Sequence, residues 1–299
     1  MERLEELRQI IKRRTLICIC GTIVISILAL ILFKHPGYMI FALFAGLIAG
    51  IISTYKPNNE YRKIFKDIFV KKSLESIFTD LIYLPDKGIP YQTIAQTNMM
   101  NMGDRYHSED YISGRYKDIG FEQSDVHIEE EHESTDSEGH TTTTYVTIFK
   151  GRWMIFDFNK EFKANVQISQ KGFGNSKVRR FFGKKEELYK KVMMESESFN
   201  SKFNVFAQNE HDAFYIITPS LMERLERLEL QNKGKLLFCF IDNKLHIGIY
   251  DGKDSFEPES VWKQLDEQNV LNKISTEIRT ITQFIDEMNL DNTLFKKEV

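Results

Sequence analysis

The sequence predicts an α+β protein, with an N-terminal two-helix transmembrane hairpin followed by a cytoplasmic domain of mainly antiparallel strands with flanking helices. Three observations predict it. Two uncharged apolar runs, Thr15–Phe33 and Tyr38–Tyr55, occupy the N-terminal 55 residues. Short β-rich segments separated by polar turns then recur from about Tyr111 to Tyr250. A long stripe of apolar residues at helical spacing closes the chain, from about Asn269 to Met288.

The first apolar run is 19 residues without a charge, roughly 28 Å of helix and close to the hydrocarbon thickness of a bilayer. Lys34-His35-Pro36-Gly37 interrupts it with a proline–glycine pair that ends helices. The second run is 18 residues long, with Tyr38 and Tyr55 at its two ends, where amphipathic aromatics favour the interface. Ala42, Ala45, Gly46, Ala49, Gly50 and Ser53 supply small residues that let two helices approach closely. A signal peptide does not fit, because a second span follows at once. Cys18 and Cys20 lie at the start of the first run, so a lipoprotein cleavage site does not fit either.

Basic residues set the expected orientation. Arg3, Arg8, Lys12, Arg13 and Arg14 precede the first span, and Lys56, Arg62, Lys63, Lys66, Lys71 and Lys72 follow the second, against Lys34 alone in the turn. The positive-inside rule places both termini in the cytoplasm and the protein in the inner (cytoplasmic) membrane as a multi-pass chain. The expected divisions are a cytoplasmic segment 1–14, a hairpin 15–55, a basic amphipathic stalk 56–90 and a cytoplasmic α+β domain 91–299. Three cysteines make no disulfide framework, and Cys239 is unpaired in the domain. With 40 Lys+Arg against 43 Asp+Glu and a net charge of −3, the chain lacks the basic excess of a nucleic-acid binder. A 42% hydrophobic, 28% charged composition excludes a disordered chain.

Within the domain, Tyr61–Leu81 reads as an amphipathic helix, ended by Pro85, Gly88 and Pro90. Ser124–Ser134 and Thr141–Phe149 read as a long hairpin around the polar tip Thr135–His140. Gly151–Phe158 and Phe162–Ser169 read as two further strands joined by Asn159-Lys160-Glu161, and Phe203–Ala207 and Ala213–Ile217 as two short ones. Thr218-Pro219 reads as N-cap and first residue of a helix with Leu221, Met222, Leu225 and Leu228 on one face. Lys235–Ile241 and Lys244–Tyr250 alternate around Asp242-Asn243, a two-residue hairpin turn. Pro258–Asp266 leads into the final helix, whose stripe is Val270, Ile274, Ile278, Ile281, Ile285 and Met288.

Charge is segregated. Glu122–Glu138 carries eight acidic side chains and no Lys or Arg. Lys171–Lys191 is basic, and Lys177, Arg179, Arg180, Lys184 and Lys185 form a cluster that would suit anionic lipid or an acidic partner as well as a solvated face. His127, Glu129, Glu131, His132 and His140 have the chemistry of metal ligands, but strand alternation sends His127, Glu129 and Glu131 to one face and His132 to the other, with His140 far up the hairpin. They read as a solvated acidic hairpin. Lys171-Gly-Phe-Gly-Asn-Ser-Lys177 lacks phosphate-loop spacing, and Cys239 lies within an apolar strand as a core residue. His107 near Glu109 and Asp110, and His211 beside Asp212, have no third partner. No catalytic, cofactor-binding or metal residues are predicted.

The motifs Asp110-Tyr-Ile-Ser-Gly114, Phe149-Lys-Gly-Arg-Trp-Met-Ile-Phe-Asp-Phe-Asn159, Phe203–Ala207 and Ala213–Pro219 resemble a bacterial membrane family known as domain of unknown function 3137. Leu221–Leu225, Lys244–Ile249 and Phe256 continue the pattern, which covers residues 60–270 and includes an N-terminal hairpin in the family. The resemblance brings no catalytic residues. It implies a LemA-type membrane protein as a partner. The expected function is a non-enzymatic protein-binding or scaffold module at the membrane. The alternatives are an enzyme of unrecognised type acting on a membrane-associated substrate, or a lipid-responsive regulator using the basic cluster.

Overall fold

A computed structural model of the chain describes residues 1–157, 165–173 and 189–288. The chain divides into two compact units, one of Met1–Ser73 with Phe256–Ser275, the other of Leu74–Ser255 with the residues from Thr276 onward.

In the first unit, helix α1 spans Glu2–Phe33 and helix α2 spans Pro36–Phe65. His35 caps α2 by accepting from Gly37 N, and Pro36 sits in its first turn. Both helices are long and apolar enough to cross a membrane, and most of their large apolar side chains between Leu16 and Tyr55 are exposed. Gly46 lies against Thr22 and Gly50 against Cys18, so small residues mark where the two helices approach. Thr22 and Thr54 donate their hydroxyls to Cys18 O and Gly50 O within their own helices. At the other end Arg14 donates to Ser53 O at 2.8 Å and Arg3 pairs with Glu60 at 2.6 Å.

Both helices continue without a break into their basic flanks. The expected separate helix Tyr61–Leu81 is therefore corrected: α2 runs through Pro57 to Phe65, a π-helical turn covers Lys66–Lys71, and the short α3 ends at Glu75. Thr79–Leu81, read as the end of that helix, belongs to strand β1, Thr79–Leu84. The physical reason lies in composition: Ile-Phe-Thr-Asp-Leu-Ile-Tyr-Leu is β-branched and aromatic, and favours a pleated edge over a helix.

The second unit is built on an antiparallel sheet of nine described strands in the order β1-β2-β3-β4-β9-β8-β5-β7-β6. Its strands are β2 Arg105–Tyr116, β3 Ile119–Thr135, β4 Thr141–Asp157, β5 Val166–Gln170, β6 Lys190–Val192, β7 Phe203–Ala207, β8 Lys235–Ile241 and β9 Lys244–Tyr250. With helices on the sheet, the fold class is α+β, as the alternating runs implied. Asp242 and Asn243 both take positive φ, 48° and 57°, which joins β8 to β9 by the tight turn their residue types favour. Val166, Ile168, Val205, Phe238, Phe240, Leu245 and Ile247 are among the side chains that fill the core.

Three elements differ from the sequence reading. Thr141–Phe149 and the described part of Gly151–Phe158, which reaches Asp157, are one strand, β4, rather than two. Gly151 marks a close approach instead of a break: a Cβ there would stand 2.0 Å from Ile249 O of β9. Ala213–Ile217, read as a strand, lies mainly in helix α6 Glu210–Ile216, capped by Asn209 accepting from His211 N. Two further short helices are α4 (Tyr91–Ala95) and α5 (Glu197–Lys202). Helix α7, Pro219–Gln231, starts at the predicted Thr218 cap and buries Leu221, Met222, Leu225 and Leu228. Helix α8, Glu267–Met288, buries all six stripe residues, and the division between the units falls inside it. The Pro258–Asp266 segment before it is irregular, with a turn at Val261–Lys263. The Asn159–Glu161 linker lies outside the described residues, as does the start of the Phe162–Ser169 strand, whose described part is β5.

Candidate functional site

Strands β3 and β4 outrun their neighbours. Up to Ile128 they are paired inside the sheet. At Ile128/Glu129 the register shifts, leaving Ile148 as an extra residue on β4, and from Glu131 to Thr147 every residue is exposed. The result is a two-stranded ribbon that leaves the sheet at the bulge. Residues 129–147 hold six carboxylates and no Lys or Arg.

A loop that precedes β2 clamps the root of this ribbon. Asp104 N donates to Glu129 O at 2.8 Å, Glu131 N donates to Asp104 Oδ2 at 2.7 Å, and Asn101 Nδ2 donates to Glu130 Oε1 at 3.0 Å. Gly103 makes this fit possible: its φ is +56°, and a Cβ there would lie 2.1 Å from Glu129 O. Further out, the Arg105 guanidinium stacks 3.3 Å from the centre of the Tyr145 ring, and Tyr145 OH donates to Glu131 at 3.1 Å. At the tip Asp136 Oδ1 accepts from Glu138 N and His140 N, both at 2.9 Å, and these backbone donors hold its carboxyl below the usual range.

The histidines of the hairpin stand apart, each beside its own acid. His127 is 3.6 Å from Glu129, His132 is 3.2 Å from Glu130, and His140 is 3.3 Å from Asp136. Strand alternation separates them as expected, and near the tip Thr135 faces Thr141. His107 lies 3.9 Å from Glu109.

The basic cluster Lys177, Arg179, Arg180, Lys184 and Lys185 lies outside the described residues. Of the glycine-bearing segment before it, Lys171–Phe173 forms a turn after β5, with Phe173 packed 5.3 Å from Tyr250.

Two buried polar groups in the sheet had no sequence signal. On one face Asp125 of β3 pairs across the ladder with Arg152 of β4, and both are buried. Burial, then the Asp110 charge, pushes the Asp125 carboxyl well above its ordinary range, opposed by Arg152 and by the Ser255 N–H that donates to it. Arg152 Nη1 donates to Glu277 O of α8 at 2.8 Å. Asp110 itself is buried in a β2 bulge with φ 55° and accepts from Tyr83 OH at 2.6 Å. On the other face Trp153 Nε1 donates to His246 Nδ1 at 3.2 Å, and burial lowers the His246 pKa to about 4. Cys239, its cross-strand neighbour, is fully buried with its thiol pKa raised by that burial, and its Sγ contacts Thr97 O at 3.6 Å. Cys239 is a core residue, as its apolar strand implied.

A polar groove of 230 Å³ opens beside this second face, lined by residues including Asp80, Arg115, Asp118, Glu122, Asp157 and Lys244. Lys244 sits 3.9 Å from both Glu122 and Asp157, and Arg115 sits 3.6 Å from Asp80. At these distances, on partly exposed side chains, the pairs are loose and contribute little to stability.

The family described as "Protein of unknown function (DUF3137)" matches residues 147–290. Over these residues, just under half of the chain, the sequence is similar to that family. The match takes in β4 from Thr147, the rest of the sheet that follows and all of α8, and stops short of the projecting part of the ribbon. No curated protein matches the chain. Among solved structures, the crystal structure of the mycobacterial trehalose monomycolate transport factor A, TtfA, aligns at 10% identity with a TM-score of 0.38, covering 77% of this chain and 95% of that one.

Proposed function

We propose that this DUF3137 protein is a membrane-anchored, non-enzymatic binding module. In this reading α1 and α2 insert as a hairpin with both termini in the cytoplasm, and the sheet unit presents its acidic ribbon to a basic surface on another membrane protein. The observation that carries the proposal is the ribbon. A two-stranded hairpin exposed on both faces is marginal by itself, yet here a bulge releases it and the Asn101–Asp104 loop clamps its root. The effect is to hold carboxylates clear of the sheet, where they meet another surface without desolvating the core. The basic flanks of α1 and α2 support the cytoplasmic orientation. The LemA-type membrane protein implied by the family resemblance is the first partner to test.

The experiment compares the full chain with a Glu131→Gln, Glu133→Gln, Glu138→Gln variant, each purified from membranes in mild detergent. The substitutions spare Asp136 and so keep the turn. A LemA-type protein should co-elute with the wild type at low salt, and be lost both at high salt and with the variant. Recovery unchanged by either treatment would refute the ribbon as the docking element.

A further inference from the structure

We infer that the turn Ser260–Lys263 makes a third membrane contact, with Trp262 entering the headgroup layer beside the two helices. This rests on the membrane reading of α1 and α2 and adds to it. All of the geometry lies in the first unit. After Phe256 the chain returns to the helix ends: Glu257 pairs with Arg62 at 3.1 Å and Lys66 at 2.9 Å, and Lys273 Nζ donates to Glu257 O at 2.6 Å. The segment then runs to Lys263, whose carbonyl accepts from Arg8 Nη1, and Arg8 is fixed by Glu5 at 2.7 Å. The same turn lines a small cleft with Tyr61.

Position along the helices places this turn. Arg8 is seven residues before Thr15 and Arg62 is seven after Tyr55, about 10 Å of helix from the apolar runs. The headgroup region is about 5–8 Å deep on each side of the hydrocarbon, so the turn stands at its edge. Lys263 N donates to Ser260 O at 2.9 Å, which keeps the turn tight. Its two end side chains are open: Trp262 is 51% exposed and Lys263 68%. Indole favours the bilayer interface, where its apolar body and N–H are both satisfied. Lys12, Arg13, Arg14 and Lys56 lie between this level and the apolar runs and complement anionic headgroups. A hairpin alone leaves the first unit free to tilt and rotate in the bilayer; a third contact fixes both.

The chain has two tryptophans, and Trp153 is only 1% exposed, so lipid quenching reports on Trp262. The test reconstitutes the full chain and a Trp262→Phe variant into phosphatidylcholine–phosphatidylglycerol vesicles with chain-brominated lipid. Brominated lipid should quench a component of the wild-type emission that is missing from Trp262→Phe, and this component should resist aqueous acrylamide. Equal bromolipid quenching in both proteins, or free access of acrylamide to Trp262 in vesicles, would overturn the inference while leaving the anchor intact. Flotation after an alkaline wash reports insertion separately: a chain that fails to float would overturn the anchor and this inference together.

Discussion

Asp125 makes the second unit sensitive to pH. Its folded pKa is raised by burial and by Asp110, so between its unfolded and folded values the folded state holds a proton that the unfolded state has released. Its contribution to stability is therefore fully present below the unfolded value, about 4, and is lost as pH rises from there toward the folded pKa. Asp125→Asn keeps the shape and removes the charge. Denaturation of the full chain in detergent should lose this decline with rising pH in the variant, and an unchanged decline would show that another group titrates. His246 works in the opposite direction. Its pKa is lowered to about 4, so the unfolded state takes up a proton first as pH falls below about 6.5, and stability is lost from there down to about pH 4. His246→Gln should flatten this acid limb; a limb as steep as that of wild type would contradict the assignment. Neither residue was legible in the sequence, because a polar side chain at a strand position reads as solvent-facing unless both faces of the sheet are known to be covered.

The elements that were legible are those whose signal is local. The β8–β9 turn was read from Asp242-Asn243 alone, and both residues take the left-handed conformation. Asn243→Gly should leave stability unchanged or raise it, whereas Asn243→Val should cost about 1–2 kcal/mol, measured by chemical denaturation. Equal stability of the two would mean the turn is not the tight one described. The α7 cap and the α8 stripe were legible for the same reason. Elements decided by distant partners were misread. Gly151 was read as the start of a new strand because the close approach of β9, which holds it within a continuous one, is invisible locally. Helix α6 looked like a strand because Ala-Phe-Tyr-Ile-Ile has β character, while the Asn209 cap that starts the helix lies upstream of it. For the ribbon, the acidic composition was plain, but the Asn101–Asp104 clamp comes from a segment without periodicity. Replacing His127, His132 and His140 together by alanine should shift stability by less than about 1 kcal/mol, since each histidine pairs only with an exposed or half-buried acid. A larger loss would indicate a shared site.

At the scale of the whole molecule, the two units divide the work of the proposed module. The first contains the two helices able to cross a membrane and the segment that returns to their ends. The second is a sheet with a core of its own, and the DUF3137 match begins within its strand β4 and takes in α8. The acidic ribbon, the element proposed to choose the partner, projects from that sheet, and its part beyond Thr147 toward the tip lies outside the family match, as do all the residues before it. The most direct measurement of that claim is site-specific photo-cross-linking in intact cells, with a photoreactive amino acid at Val146 on the ribbon or at Ile82 on β1, both more than half or about half exposed. The account predicts an adduct with a second membrane protein from Val146 that disappears in the Glu131→Gln, Glu133→Gln, Glu138→Gln background, and no such adduct from Ile82. Adducts from Ile82 alone, or a Val146 adduct indifferent to the loss of those charges, would contradict it.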